Sequence, residues 1–293
     1  MASGSVSANW RLDAAASIAN CSRGSPGLNA MMVGGSVGRG HPDRWSDLEM
    51  AVFWRHLPPD DVLLDLAKRA GGRDRRSWAY DPAEYAVAEE YWLGGLAGPG
   101  LLVELQHQSL ADGAALLDDL LDGINPEPYF LTYASALNRG EVLFGAAELQ
   151  PLRTRVAAYP HHLAVAAATK HGQIDKFWRW QMLAERGELL ALRGHYAETA
   201  ERLSHLLFAV NRRWWPGRKW MLRELANLQH LPAGTVDGLR RAGHAPAADA
   251  AAILSELIEE AYDLAERLLP GLDVTRLRQI FRFQRKPLNE MPS

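Results

Sequence analysis

Three acidic residues stand where strand geometry would gather their carboxylates. Asp47 and Glu49 flank Leu48 at the start of the run 47–54, which we predict to be a strand. Because side chains alternate between the two faces of a strand, both acids point one way and Leu48 points into the core. Glu104 lies in a later apolar run that we predict to be a neighbouring strand. Carboxylate oxygens are the ligands that Mg²⁺ prefers, so the three residues predict a magnesium site.

A glycine-rich turn precedes these acids. Gly34, Gly35 and Ser36 follow an apolar run, and ten residues separate Ser36 from Asp47. Glycine has no Cβ atom, which lets the backbone approach a phosphate closely. We predict that the three turn residues bind phosphate, together with Arg39 three residues further along.

Acids of this kind beside a phosphate-binding turn suit nucleotidyl transfer from a nucleoside triphosphate. That reaction needs divalent metal near the phosphates and an acceptor hydroxyl aligned opposite the leaving pyrophosphate. Two Mg²⁺ ions about 4 Å apart can bridge the attacking and leaving oxygens. Asp47, Glu49 and Glu104 are therefore predicted to be both catalytic residues and metal ligands, and Glu104 can also accept the hydroxyl proton.

Hydrophobic patterning divides the chain into two parts. Residues 1–150 mix strand and helix signals, whereas residues 151–293 carry amphipathic helical patterns alone. The predicted strands cover 28–33, 47–54, 87–93, 101–108 and 141–145, and 94–100 is the loop of a hairpin. The predicted helices cover 9–19, 58–70, 110–121 and 128–137, then 160–169, 174–192, 196–211, 217–228 and 248–268. The pattern predicts an α+β fold with a small mixed β-sheet domain at 1–150, followed by an all-α helical bundle at 151–293.

Composition is typical of a globular protein. The 293 residues are 47% hydrophobic and 23% charged, and the net charge of -3 argues against a globally basic nucleic-acid binder. Cys21 is the only cysteine, so an intramolecular disulfide is excluded. We find neither an apolar run of about 20 residues that could span a bilayer nor a signal peptide. We expect a cytoplasmic protein with no membrane partner.

The motif resembles that of the DNA polymerase β-type nucleotidyltransferase superfamily. The resemblance rests on the Gly-Gly-Ser turn at 34–36, the ten-residue spacing, the acid–apolar–acid triplet at 47–49 and the later acid Glu104. With its helical second half, the chain is similar to the small bacterial nucleotidyltransferases of the kanamycin and lincosamide type. Some relatives of those enzymes carry a helical-domain segment like 211–220.

The resemblance implies a specific activity. An enzyme of this type would transfer AMP from ATP to a hydroxyl of a small polar acceptor, antibiotic-like or biosynthetic, and release pyrophosphate. A lysine of the helical domain commonly contacts the nucleotide phosphates in the family, and Lys219 is the candidate here. Some members form homodimers, which makes a homodimer possible for this chain.

Other interpretations remain open at this point. The chain could be a non-catalytic nucleotide-binding regulatory module, or an antitoxin-like one. Nucleotide addition to RNA would use the basic residues and tryptophans of 212–223, although the net acidity disfavours it. Equally, those tryptophans could pack in a core with solvated arginines around them. Glu89 and Glu90 compete with Glu104 as the third acid, and we interpret them as hairpin surface. His107 should face away from Glu104.

Overall fold

The structure, a computed structural model, describes residues 4–94, 100–175 and 177–285, with the side chains of 4–9 outside that description. The chain forms two compact units. The first contains Met1–Gly123 and Glu127–Ala158, and the second contains Ile124–Pro126 and Tyr159–Ser293. None of the described helices is both long and apolar enough to cross a lipid bilayer.

A six-stranded mixed sheet forms the centre of the first unit. Its strands are β1 (Leu28–Val33), β2 (Leu48–Trp54), β3 (Gly72–Ser77), β4 (Val87–Leu93), β5 (Leu101–Ser109) and β6 (Glu141–Phe144). They lie in the order β3-β4-β5-β2-β1-β6. The β2–β5 pair is parallel and the other neighbouring pairs are antiparallel.

Two of the unit's helices cover one face of this sheet. They are α1 (Gly4–Ser22) and α3 (Asp60–Arg69), and between them in the chain lies the short helix α2 (Gly35–Gly38). Ile18 of α1 and Leu63 of α3 are buried with the inward residues of β2 and β5 in one apolar cluster. Burial of these apolar side chains stabilises the unit and fixes which strand residues face inward.

Helices α4 (Leu110–Leu121), α5 (Pro128–Arg139) and α6 (Ala146–Arg155) complete the first unit. Ser109 ends β5 and caps α4, because its hydroxyl accepts from the Asp112 amide while the Asp112 carboxylate accepts from the Ser109 amide. Helix α5 packs on the sheet face opposite α1 and α3. There the Tyr133 hydroxyl accepts a hydrogen bond of 2.8 Å from Gln108 of β5.

The second unit is helical. Its elements are α7 (His161–Gly172), α8 (Phe177–Glu185), α9 (Leu189–Val210), a 3₁₀ turn (Arg218–Trp220), α10 (Met221–Leu225), α11 (Thr235–His244), α12 (Ala247–Leu268) and α13 (Val274–Arg282). Helices α9 and α12 are the longest, and each turns a row of leucines and alanines inward. The α+β class, with a mixed sheet first and helices after it, is therefore confirmed.

Several boundaries and one strand differ from the sequence predictions. Strand β3 was not expected, because its sequence Gly-Arg-Asp-Arg-Arg-Ser lacks apolar alternation and the strand lies at the sheet edge. Helices α6, α11 and α13 were also missed, since all three are short and rich in charged residues, and α6 contains Pro151. The predicted helix 174–192 is interrupted between α8 and α9 at Gly187, which has φ +74°. Part of the predicted hairpin loop, residues 95–99, lies outside the described residues.

The predicted domain boundary near residue 150 falls within α6, which belongs to the first unit. The compact units describe how the chain packs. The assignment of 1–150 to a catalytic domain and of 151–293 to a helical domain stays a prediction.

The interpretation of Glu89 as a surface residue is wrong. Its carboxylate accepts from Arg75 Nε at 2.6 Å and is 2.7 Å from His107 Nε2, and Glu89 is only 3% exposed. Trp54 Nε1 donates to His107 Nδ1, so Nδ1 is the acceptor and Nε2 carries the hydrogen that Glu89 receives. The opposing charge of Arg75 is what makes burial of this carboxylate possible.

Removing Glu89 should strongly destabilise the first unit. The Glu89→Ala change leaves the His107 Nε2–H and one side of Arg75 without their buried acceptor, which should cost about 3–5 kcal/mol. The matched Glu90→Ala change removes the next acid, whose side chain is 15% exposed and pairs with Arg76 at 66% exposure, and should cost less because Arg76 stays solvated. Urea unfolding measures both free energies. Equal losses would show that the Arg75–Glu89–His107 network contributes no more than the Glu90–Arg76 pair.

Candidate functional site

The three predicted acids converge on the sheet face away from α1 and α3. One carboxylate oxygen from each of Asp47, Glu49 and Glu104 lies within 4.8 Å of the other two. The parallel pairing of β2 with β5 sets Glu49 directly opposite Glu104, and Asp47 immediately precedes β2. Leu48 lies between the two acids of the triplet and is fully buried, so the predicted alternation of faces is confirmed.

This donor set fits a hard divalent cation. All three residues are partly buried, and three ionised carboxylates this close repel one another unless positive charge is shared among them. Carboxylate oxygens are suitable ligands for Mg²⁺, whereas nitrogen or sulfur ligands would indicate zinc. Asp47, Glu49 and Glu104 are thus the residues that could hold a metal.

Gly35 is required by Glu49 itself. It has φ +57°, and a Cβ atom placed there would lie 2.2 Å from Glu49 Oε2. The preceding Gly34 donates its amide hydrogen to the Glu49 carbonyl at 2.9 Å. The sequence predicts that the two glycines leave space for a phosphate to approach the backbone. In the structure, the turn also packs against Glu49, an acid of the triad. Turn and triad are one structural element.

Ser36 connects this turn to the segment that precedes Asp47. Its hydroxyl donates to Ser46 Oγ at 2.9 Å, and the Ser46 hydroxyl donates in turn to Asp43 Oδ1 at 3.1 Å. Ser36 is buried, while Arg39 is half-buried at the end of α2. Phosphate binding by Ser36 and Arg39 stays a prediction.

Arg11 is a positioning residue that the sequence analysis missed. From α1 it donates Nε to the Ser46 carbonyl at 3.1 Å and Nη2 to the Asp43 carbonyl at 2.8 Å. Burial lowers the pKa of Arg11, and the negative charges of Asp43 and Asp47 oppose that shift. No local pattern in the sequence marks Arg11, because its partners are backbone carbonyls more than thirty residues away.

Glu89, Glu90 and His107 lie outside the acidic triad. Glu90 lies opposite Glu104 in the β4–β5 register but pairs with Arg76, and it is not part of the acidic triad. His107 lies with Glu89 on the opposite face from Glu104, as the sequence predicted.

The basic, tryptophan-rich segment belongs to the second unit. Trp214 and Trp215 are buried there, with ring centroids 4.3 Å from Tyr159 and 4.0 Å from His205, respectively. Base stacking on these two rings is therefore blocked, whereas Trp220 is half-buried. The absence of nucleic-acid binding stays a prediction. Lys219 is exposed in the 3₁₀ turn, and its role as a phosphate ligand stays a prediction.

The imidazole ring of His205 is buried in the helical unit. It stacks on His171 at 4.2 Å and on Trp215, and neither of its ring nitrogens has a hydrogen-bond partner among the described residues. Glu201 Oε1 lies 4.0 Å from Nε2, too far for a hydrogen bond. Burial, with smaller contributions from neighbouring positive charges, lowers the pKa of His205 to about 3.

Comparisons with known proteins give limited similarities. The model of a family described as a domain of unknown function (DUF4037) matches residues 132–221. No curated protein matches the chain. A nucleotidyltransferase-like protein from Exiguobacterium sibiricum is 13% identical, with a TM-score of 0.41, over 84% of this chain and 73% of its own.

Cid1, solved in complex with its short product ApU, is 15% identical with a TM-score of 0.25. That similarity covers 43% of this chain and 38% of Cid1. At TM-scores this low, the function has to be argued from the site itself.

Substitution of Gly35 should disturb the triad specifically. Gly35→Ala and Gly40→Ala both put a methyl group on a residue with positive φ, which should cost each protein about 1 kcal/mol. Only at position 35 would the new Cβ collide with Glu49, because nothing lies within 4 Å at position 40. We expect Mn²⁺ affinity, measured by calorimetry, to fall at least about tenfold in Gly35→Ala alone, equivalent to about 1.4 kcal/mol. Equal affinities in the two variants would contradict the role given to this glycine.

Stability should decline in acid because of His205. The ring stays neutral in the folded unit, while the unfolded chain binds a proton below its ordinary pKa of 6.5. Its contribution is therefore complete above about pH 6.5 and falls by about 1.4 kcal/mol per pH unit as the pH decreases toward the folded pKa. Urea unfolding between pH 7 and pH 5 should show a smaller slope in His205→Phe than in wild type. The exposed His244 provides the control, since His244→Phe should keep the wild-type slope.

Proposed function

We propose that the protein is a metal-dependent nucleotidyltransferase, which transfers a nucleoside monophosphate from a nucleoside triphosphate to an acceptor hydroxyl and releases pyrophosphate. The observation that supports this most strongly is the convergence of Asp47, Glu49 and Glu104 beside the turn at Gly35. The acids come from two strands whose register is fixed by buried neighbours, so their proximity is built into the sheet.

Each residue of the site has a role in this reaction. Asp47, Glu49 and Glu104 would hold Mg²⁺, which when bound neutralises triphosphate charge and the charge that develops at the α-phosphorus. The acceptor oxygen forms a bond to that phosphorus as the bond to the pyrophosphate oxygen breaks. A carboxylate oxygen of Glu104 accepts the proton that the hydroxyl loses. Arg11 and Ser36 orient the segment that carries Asp47.

The finer assignments come from the resemblance to kanamycin- and lincosamide-type enzymes. ATP is the proposed nucleotide, with AMP as the transferred group and two Mg²⁺ ions as cofactors. A small hydroxylated acceptor, antibiotic-like or biosynthetic, is the proposed second substrate. Phosphate contacts from Arg39 and Lys219, a homodimer and a cytoplasmic location belong to the same proposal.

A non-catalytic nucleotide-binding module is the alternative. It is supported only by the possibility that phosphate and metal bind without turnover. The position of Glu104 favours catalysis, since this carboxylate can accept the proton of the acceptor hydroxyl as well as hold metal.

The decisive experiment compares pyrophosphate release from ATP and Mg²⁺ by wild type, Asp47→Asn and Glu90→Gln, with a panel of hydroxylated acceptors. Asp47→Asn removes one triad charge at constant shape and should lower turnover at least about a thousandfold, equivalent to about 4 kcal/mol of barrier. Glu90→Gln removes an acid on the same sheet face outside the triad and should retain turnover. Equal release by wild type and Asp47→Asn would reject the site, and nucleotide binding with no release by any protein would favour the alternative.

A further inference from the structure

A cavity of about 210 Å³ opens beside the acidic triad on the same sheet face. Glu49 and Glu104 lie at one side of it, and strands β1, β2 and β5 form its floor under helix α5. Its further lining includes Met32, Ala51, Phe53, Gln106, Tyr129 and Tyr133. Every lining residue belongs to the first unit.

Away from Glu49 and Glu104, the polar side chains of the cavity wall are neutral, and their hydroxyl groups are hydrogen-bonded to the protein. Tyr129 donates to Gln106 Oε1 at 3.3 Å or to the Glu84 carbonyl at 3.2 Å, and Tyr133 accepts from Gln108. The Thr132 hydroxyl donates to the Pro128 carbonyl at 2.8 Å. Burial raises the pKa of Tyr129 and of Tyr133, so both stay uncharged at neutral pH.

This wall favours an apolar group over a charged or strongly hydrated one. A polar group entering the cavity would lose its hydration and find wall partners already engaged, whereas an apolar group gains by leaving water. The size fits a ring, since an engineered apolar cavity of about 150 Å³ in another protein binds benzene. Met32 in the floor can adapt to different ring shapes because its thioether chain is unbranched and flexible.

We propose that this cavity binds a neutral, ring-sized apolar part of the acceptor, which brings the acceptor's hydroxyl to Glu104. The inference rests on the proposed function and gives its acceptor a chemical class. The cavity is continuous with the proposed catalytic site, because Glu104, the carboxylate that would accept the hydroxyl proton, is also part of the cavity lining. The residues that form the floor of the cavity would therefore also position the acceptor, because its apolar ring would lie beside Glu104.

A groove on the other side of Gln106 is the competing location. It has a volume of about 640 Å³, shares Glu104 and Gln106 with the cavity, and is lined by acids and by the exposed ring of Trp78. Its chemistry would suit a cationic acceptor. The groove is the more open of the two, so water screens the charges in it, whereas the α5 side of the less open cavity presents neutral side chains.

Substitutions at two alanines can distinguish experimentally between the cavity and the groove as the binding location. Ala51 of β2 and Ala88 of β4 are the partners of Gln106 on its two sides, and both are partly exposed. Ala51 lines the cavity and Ala88 lines the groove. A leucine at either position adds the same volume to the same kind of strand site, so Ala51→Leu and Ala88→Leu form a matched pair.

The probe is 4-fluorobenzyl alcohol, a neutral ring with one hydroxyl, followed by ¹⁹F NMR titration of the full chain without nucleotide. We expect saturable binding to wild type, a loss of affinity of at least about tenfold in Ala51→Leu, and less than about twofold change in Ala88→Leu. Ala136→Leu fills the cavity from α5 and should reproduce the loss if Ala51→Leu does not fold. Circular dichroism and thermal melting check the folding of each variant.

Three results would overturn the inference. These are absence of saturable binding to wild type, a loss in Ala88→Leu as large as in the cavity variants, and displacement of the probe by spermidine, which would place the ligand in the groove. Competitive displacement by ATP with Mg²⁺ would also overturn it, because the cavity would then take the nucleobase instead of the acceptor.

The result is separable from the test of the proposed function. Asp47→Asn should bind the probe as wild type does, since the cavity is independent of that carboxylate. A protein that binds the probe in the cavity but never releases pyrophosphate rejects the transferase and hence the acceptor assignment. A protein that releases pyrophosphate but does not bind the probe rejects the inference alone.

Discussion

The parallel pairing of β2 with β5 is the constraint on which the site depends. Leu48 pairs with Val103, and both are fully buried, so the neighbouring pair Glu49–Glu104 has to lie on the other sheet face. A slip of one residue would send these acids into the apolar cluster under α1 and α3, at the large cost of burying unpaired charge. The burial of apolar residues on one face thus holds mutually repelling carboxylates together on the other. The free energy gained by burying the apolar core offsets the repulsion among the three carboxylates.

Acidic side chains have different surroundings on the two faces of the sheet. On the α1–α3 face, the charge of the Glu89 carboxylate is balanced by Arg75, and the carboxylate is hydrogen-bonded to His107. On the other face, the acids of the triad stay partly exposed and close to one another, and two of them line a cavity whose other polar side chains are neutral. Near the triad, the buried Arg11 offsets part of the charge of Asp47. Three carboxylates gathered within reach of one another nevertheless favour the binding of an external cation. This arrangement is the reason for proposing that the reaction takes place on the triad face.

The sequence predicts those features that depend on short-range pattern. Strand alternation placed Asp47 and Glu49 together, the Gly-Gly-Ser turn was recognised from its residue types, and the β4–β5 hairpin and α4 followed from apolar periodicity and turn signals. The convergence of Glu104 with these acids was also predicted, but two other long-range contacts were not. The buried Glu89 looked like a surface acid because its partner Arg75 lies in a charged edge strand with no apolar alternation. Arg11 was invisible for a related reason: it binds backbone carbonyls, which carry no sequence signal.

Gly35 shows how closely the fold and the candidate chemistry are coupled. A glycine in a phosphate-binding turn is usually explained by the ligand, yet here the space beside it is occupied by the Glu49 carboxylate. The turn cannot acquire a side chain at position 35 without moving the Glu49 side chain, and the Gly34 amide is hydrogen-bonded to the backbone carbonyl of the same residue. A phosphate bound at this turn would therefore lie against residues whose positions already depend on one another. Such mutual dependence is what preorganisation requires, since the site need not rearrange when a substrate arrives.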